Sequence, residues 1–330
     1  MSQFPQVRLR RTRKNKVLRD LVAENAISAS QLVLPLFVRG SEKHPSKVDS
    51  MDGVFRHSLD EICKTVEESM MCGIKSFAVF PFVDPSAKSA DAKESYDPDN
   101  LVCKAIRKIK EKFGSDTVLI ADVALDPYTI DGHDGITKDG VVLNDATLEV
   151  LCKQSLVLAA SGADIIAPSD MMDGRIAAIR HALDIGNFYD VVILSYAAKY
   201  ASCLYFPFRD AVGSGSAKKI DKSSYQLDFR NFKEAITEIE HDITESADII
   251  MIKPATFYLD VIKEASQKFN KPIFAYQVSG EYQMFKKHGG IEMLLESLIA
   301  IKRAGATSIL TYAAVEVAKF IAKDGPKPFA

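Results

Sequence analysis

Eight short apolar runs, each followed by a longer amphipathic stretch, constrain this chain more than any other feature. The runs are QLVLPLFV (31–38), SFAVFPF (76–82), TVLIADVAL (117–125), ADIIAPSD (163–170), VVILSYAAK (191–199), ADIIMIKP (247–254), PIFAYQVSG (272–280) and SILTYAA (308–314). Short runs rich in Ile, Val, Leu and aromatic residues read as strands buried on both faces. The amphipathic segments at 59–73, 99–114, 145–162, 173–186, 228–246, 258–269, 290–305 and 315–323 read as helices. Asp at several of their starts can cap orphan N–H groups. Gly73, Gly114, Gly162, Gly186 and Gly305 are expected to close helices in the left-handed conformation. Strands joined through helices must run parallel. Eight such units predict an α/β chain closed into a (β/α)8 barrel of the TIM type. An open doubly wound sheet is the alternative, and it lacks the G-x-G-x-x-G expected after its first strand.

Composition narrows the function classes. The 330 residues are 47% hydrophobic and 26% charged, with a formal net charge of −2. That balance gives no global attraction to nucleic acid. No run of 18 apolar residues predicts a membrane span, and the N-terminus lacks the apolar segment of a secretory signal. Five scattered cysteines, none in C-x-x-C spacing, fit reduced thiols in the cytoplasm. Residues 1–30 stand apart as a basic arm (Arg8, Arg10, Arg11, Arg13, Lys14 and Lys16), and composition does not choose between nucleic-acid binding, a solvated tail and a subunit contact. Residues 31–330 are then a single barrel. Two connections exceed ordinary turns, 83–98 and 200–227. The second follows the fifth strand at its carboxyl end, where a lid would lie, and its Gly/Ser stretch (213–219) would make it mobile.

In a barrel the chemistry sits at the carboxyl ends of the strands. Lys199 closes the fifth run and Lys253 the sixth, just before Pro254. A lone strand-end lysine usually snorkels its head to water. Two on adjacent strands, whose backbones lie about 5 Å apart, disfavour each other's charge, and an apolar floor adds desolvation. A neutral lysine amine condenses with ketones to an imine. The third run leads into Asp122, Asp126 and Asp134, carboxylates suited to a hard cation or to general acid–base work. Arg209 and Lys222 in the long loop suit a substrate carboxylate, unless Arg209 simply pairs with Asp210. The seventh run ends at Ser279, and the eighth carries Tyr312.

SYAAKYASCLYFPFRDA (195–211), MIKPA followed by YLD, YQVSGEY, and DPYT followed by GHDGI occur in order along these strands. Together they resemble the porphobilinogen synthase (5-aminolevulinate dehydratase) family, from RLRRTR and LVLPLFV through to ILTYAA. The resemblance implies a barrel whose N-terminal arm embraces a neighbouring subunit, usually in a homo-octamer. It implies condensation of two 5-aminolevulinate molecules to porphobilinogen, with loss of two waters, an early step of haem and tetrapyrrole synthesis. By the same resemblance Lys253 forms the imine with the first-bound substrate and Lys199 engages the second. Ser279 and Tyr312 would hold the first carboxylate; Arg209, Lys222 and Gln226 would hold the second. Asp122, Asp126 or Asp134 would orient an amino group or move a proton. The zinc-dependent type carries three cysteines where this chain has Ala124, Asp126 and Asp134. The resemblance is therefore to the type without catalytic zinc, stimulated by Mg²⁺ at an allosteric site that would include Glu238 with Asp170 nearby; a monovalent cation is a further candidate. Asp131, Phe206 and Ala255-Thr256-Phe257 depart from the family pattern. A class I aldolase-like lyase using Lys253 alone, and an inactive barrel serving as a binding scaffold, are the competing readings. Retention of both lysines and both carboxylate clamps speaks against each.

Overall fold

The eight runs pair in sequence order and then close on themselves. A computed structural model describes residues 3–40, 46–214 and 221–324. The barrel strands are β1 (Leu32–Arg39), β2 (Ser76–Pro81), β3 (Val118–Val123), β4 (Ile165–Pro168), β5 (Val192–Lys199), β6 (Ile249–Lys253), β7 (Ile273–Gln277) and β8 (Ser308–Thr311). Each pairs in parallel with the next, and Leu32 and Val33 of β1 pair with Ile309 and Leu310 of β8. That last pairing leaves no edge strand and excludes the open doubly wound sheet. Their residues are almost all buried, because the helices cover the outer face and side chains fill the inside.

The covering helices are α1 (Ile62–Met71), α2 (Leu101–Phe113), α3 (Asn144–Ala160), α4 (Arg175–Ile185), α5 (Lys233–Thr244), α6 (Leu259–Lys268), α7 (Ser279–Ala304) and α8 (Ala314–Asp324). The sequence reading misplaces one of these markedly. Helix α7 starts at Ser279 rather than 290, so YQVSGEY is a strand leading into a helix N-terminus. Gly289 and Gly290 only kink it, Gly290 taking φ 61° and ψ −149° inside the helix. Gly186 also departs from expectation. Its φ is −74°, and the left-handed residue is Asn187 at φ 63°. Asn tolerates that conformation through its short polar side chain.

The two long connections are structured in their described parts. Residues 83–98 hold two single 3-10 turns, Pro85–Ala87 and Lys93–Tyr96, with Ala92 and Ser95 buried. After β5 the chain makes a 3-10 turn (Cys203–Tyr205) and a short helix, Phe206–Val212, started by Pro207 in its first turn. Most of the Gly/Ser stretch, 215–219, lies outside the described residues. The N-terminal arm carries exposed Phe4, Val7, Leu9, Val17, Leu21 and Val22. Ile27 is already buried in the body, so the exposed arm ends near residue 26.

Candidate active site

The register of β5 and β6 decides the site. Lys199 pairs directly with Lys253, so two ammonium-bearing side chains share one level of the barrel mouth. Both are buried. They are not equivalent. Lys199 donates to the carbonyl of Ser169 and lies 3.3 Å from Oδ1 of Asp134. Lys253 meets aromatic faces instead: Nζ lies 4.8–5.2 Å from the ring centres of Tyr196, Tyr205, Phe208 and Tyr276. Burial, aided by the charge of Lys199, lowers the Lys253 amine to about 7. Ring faces attract the ammonium, yet they do not replace its lost hydration. A neutral, nucleophilic amine is therefore well populated at neutral pH.

Across the mouth, the loop after β3 supplies carboxylates. Asp122, on β3 itself, is raised to about 7 by burial, against the pull of Lys253 and Lys199. Asp134 behaves oppositely. Burial pushes its carboxyl up, but Lys199 and Lys222 outweigh that and hold it well below the usual range. Lys222 stands 2.9 Å from Asp134 Oδ2 and 3.6 Å from Asp126 Oδ2. Asp126 and Asp134 thus face lysine ammoniums. The loop itself is tied by Asp131, which accepts from the His133 N–H at 3.1 Å and from the Thr137 hydroxyl.

Eight of the expected residues line one cleft: Asp122, Asp126, Asp134, Lys199, Arg209, Lys222, Gln226 and Lys253. Arg209 does not pair with its neighbour Asp210, which instead accepts from Ser50 Oγ at 2.6 Å and lies 3.5 Å from Arg56. Among the described residues Arg209 has no ion-pair partner. The carbonyl oxygen of Gln226 is buried without a hydrogen-bond partner. Ser279 and Tyr312 lie just outside the lining. Ser279 is the first residue of α7, and its Oγ accepts from the Phe208 N–H at 3.0 Å and donates to the Leu204 carbonyl at 3.2 Å. Tyr312 follows β8 and shares a 3.0 Å hydrogen bond with Tyr276. Segment 203–212 is thereby latched over the mouth, with Phe208 against Lys253. The cleft it leaves has a volume of about 20 Å³, room for about one water.

Asp170 and Glu238 both turn to the same cation. Arg175, fully buried, lies 3.2 Å from Glu238, 4.0 Å from Asp170 and 2.9 Å from Asp242. Burial disfavours its charge, but Asp242, Asp170 and Glu238 outweigh that and keep the guanidinium charged. Asp170 is wholly buried and raised to about 6, chiefly by burial. Among the described residues no group of three His, Cys, Asp or Glu side chains stands ready for a metal ion. Asp170 faces Arg175 with Oδ2, which accepts no hydrogen bond among the described residues. Glu238 is partly exposed and lines a wide outer groove of about 1030 Å³, so it can present an oxygen to a hydrated cation.

Several side chains of the site escaped the sequence reading. The aromatic cage around Lys253 comes from three separate segments, β5, 203–212 and β7, and nothing in their spacing predicts convergence. Glu281 is buried and accepts from the backbone N–H groups of Val278 (2.7 Å), Thr256 (2.6 Å) and Ala255 (3.5 Å). It thereby pins the Ala255-Thr256-Phe257 turn that follows Lys253. The signal was available: Glu at the third position of a helix start is a capping pattern, obscured by reading YQVSGEY as a strand end.

Comparisons with known proteins show the family. The family model for delta-aminolevulinic acid dehydratase matches residues 6–320. A delta-aminolevulinic acid dehydratase of Bradyrhizobium diazoefficiens is 47% identical over 325 residues, 97% of this chain and 92% of the relative. One from Archaeoglobus fulgidus is 46% identical over 324 residues, 97% of this chain and 99% of the relative. The crystal structure of the Toxoplasma gondii ME49 enzyme, in complex with the reaction product porphobilinogen, superposes with a TM-score of 0.95. It is 45% identical and covers 99% of this chain and 96% of its own. The chain belongs to the delta-aminolevulinic acid dehydratase family.

Proposed function

We propose that this protein is a porphobilinogen synthase, condensing two molecules of 5-aminolevulinate to porphobilinogen with loss of two waters. The observation that carries the reading is the in-register pair Lys199 and Lys253, one of them lowered to about 7 by burial. Two ketone substrates call for two amines, and a single-lysine aldolase has no use for the second. Lys253 attacks the ketone of the first substrate. The carbinolamine loses water to give an imine, an electron sink for C–C bond formation. Asp122, carrying a proton for part of the time near pH 7, stands beside both lysines to give or take it. Lys199 engages the second ketone. Arg209, Lys222 and the unpartnered oxygen of Gln226 supply polar capacity for the second substrate, and Ser279 with Tyr312 for the first carboxylate.

The closed cleft admits neither substrate, so segment 203–212 moves in each turnover. Its release frees the hydroxyl of Ser279 from Phe208 and Leu204 and gives it to the carboxylate. The arm, with its exposed apolar residues, packs on neighbouring copies in a homo-octamer. Glu238 would hold Mg²⁺ in the outer groove, and the ion would supply a remote positive charge there; no step of the chemistry passes through it.

The test is incubation of purified protein with 5-aminolevulinate, with pyrrole detected by Ehrlich reagent. Product at turnover rates far above the uncatalysed background supports the reading; none, with or without Mg²⁺, overturns it. Titration of Mg²⁺ into wild type and Glu238→Gln checks the metal proposal. Activation retained in the variant excludes Glu238.

A further inference from the structure

Asp134 is shared between two cations of different function. Oδ1 lies 3.3 Å from the Lys199 Nζ, and Oδ2 lies 2.9 Å from the Lys222 Nζ. Lys222 is the residue proposed above to take the second substrate's carboxylate. In the closed cleft Asp134 occupies that role itself, an internal carboxylate on the clamp. Lys222 has a second acidic neighbour, Asp126 at 3.6 Å, and no carboxylate but Asp134 pairs with Lys199 among the described residues. The Tyr225 hydroxyl donates to Oδ2 at 2.9 Å and lies 3.1 Å from His133 Nδ1. Tyr225 therefore keeps the carboxylate in place when Lys222 lets go.

We propose that Asp134 couples capture of the substrate carboxylate at Lys222 to deprotonation of Lys199, so that the second amine becomes nucleophilic only once its substrate is seated. The inference rests on the amine chemistry proposed above. With both lysines on it, Asp134 is a very weak base: their charges hold it well down despite its burial. An arriving carboxylate takes Lys222. Asp134 is then left with one cation in a buried site, and desolvation raises its basicity. One proton passes from Lys199 Nζ to Asp134 Oδ1. The neutral amine adds to the ketone carbon, and its second proton moves to the carbonyl oxygen. The carboxylic acid of Asp134 then protonates the departing hydroxyl, which leaves as water. Lys199 ends as a protonated imine and Asp134 as a carboxylate. Ammonium and ketone give iminium and one water, with no outside acid or base consumed.

The arrangement also discriminates. A ketone that lacks a carboxylate leaves Asp134 on Lys222, and Lys199 stays an ammonium. The experiment uses levulinate and its methyl ester as probes at saturation, with borohydride trapping and peptide mass spectrometry to score Lys199 and Lys253 separately. In the wild type, levulinate is expected to label Lys199 at least ~10-fold faster than the ester, the effect of about one unit in basicity. In Lys222→Met, Asp134 is freed without any carboxylate, so ester labelling of Lys199 rises to approach the wild-type levulinate rate. A simple clamp gives no such gain. Asp134→Asn labels Lys199 slowly with both probes. Equal rates for the two probes in the wild type overturn the proposal, as does ester labelling in a folded Lys222→Met that stays at the wild-type level. Lys222→Gln serves if the Met variant does not fold, labelling at Lys253 reporting an intact site. Absence of wild-type labelling at Lys253 counts instead against the imine reading itself.

Discussion

At the scale of single residues, Lys253 and Lys199 differ because their neighbours differ. Aromatic rings around Lys253 strip its water and return little; a carbonyl and a carboxylate around Lys199 return more. Two outcomes follow at this scale. Lys253 is nucleophilic when neutral, and burial with the neighbouring Lys199 lowers it to about 7. The amine fraction therefore grows as pH rises, and kcat/KM is expected to climb about tenfold per unit below about 7 and level off above it. Asp122 titrates in the same range, so the limb belongs to the pair. A flat profile from pH 5 to 8 contradicts the assignment. Lys253→Met removes the nucleophile and should cut kcat by ~10⁴-fold or more while leaving the fold intact. Arg175 sets a different kind of limit. Replacing it with Met strands Asp242 and Asp170 without their cation and should cost about 3–5 kcal/mol in denaturant unfolding.

Whole elements set where these residues stand. Strands β5 and β6 bring the lysines level, and α7 brings Glu281 under the turn that carries Lys253. Segment 203–212 is held by Ser279 and comes so close to α7 that only Gly280 fits between. A Cβ on Gly280 would lie 2.6 Å from the Leu204 carbonyl oxygen and 2.8 Å from its Cα, both backbone atoms. Gly280→Ala therefore pushes the segment away from Ser279. The expected result is a rise in KM and a fall in kcat, with a melting temperature lowered by less than Lys253's surroundings would suffer from a core cavity. Unchanged kinetics would show that the contact has no part in closing the mouth.

For the molecule as a whole, the pairing of β1 with β8 makes one rim on which all eight strand ends meet. The arm lies outside that design, with large apolar side chains in solvent. Exposed apolar groups at this density are what the proposed contact with a neighbouring copy would cover. Deleting residues 1–22 should leave a folded barrel by circular dichroism and reduce the assembly measured by sedimentation. A truncated chain of the same sedimentation mass as wild type rejects the arm as the contact.

Fold class and chemistry were legible in the residue order for different reasons. Apolar runs alternating with amphipathic stretches admit few topologies once strands must be parallel, so eight units already meant a barrel. Lys199 and Lys253 were legible because each ends such a run, and strand ends share a rim. Helix α7 starts earlier than the sequence suggests, running through Gly289 and Gly290, and the Phe206–Val212 helix lies in a stretch the sequence marks only as a long loop. What only the tertiary structure decided are relations between distant segments: the aromatic cage on Lys253, Arg175 among three carboxylates, Asp134 between two lysines. Local sequence carries backbone preference and burial pattern, which act over a few residues. Desolvation and charge coupling act through space, and they exist only after the barrel has closed.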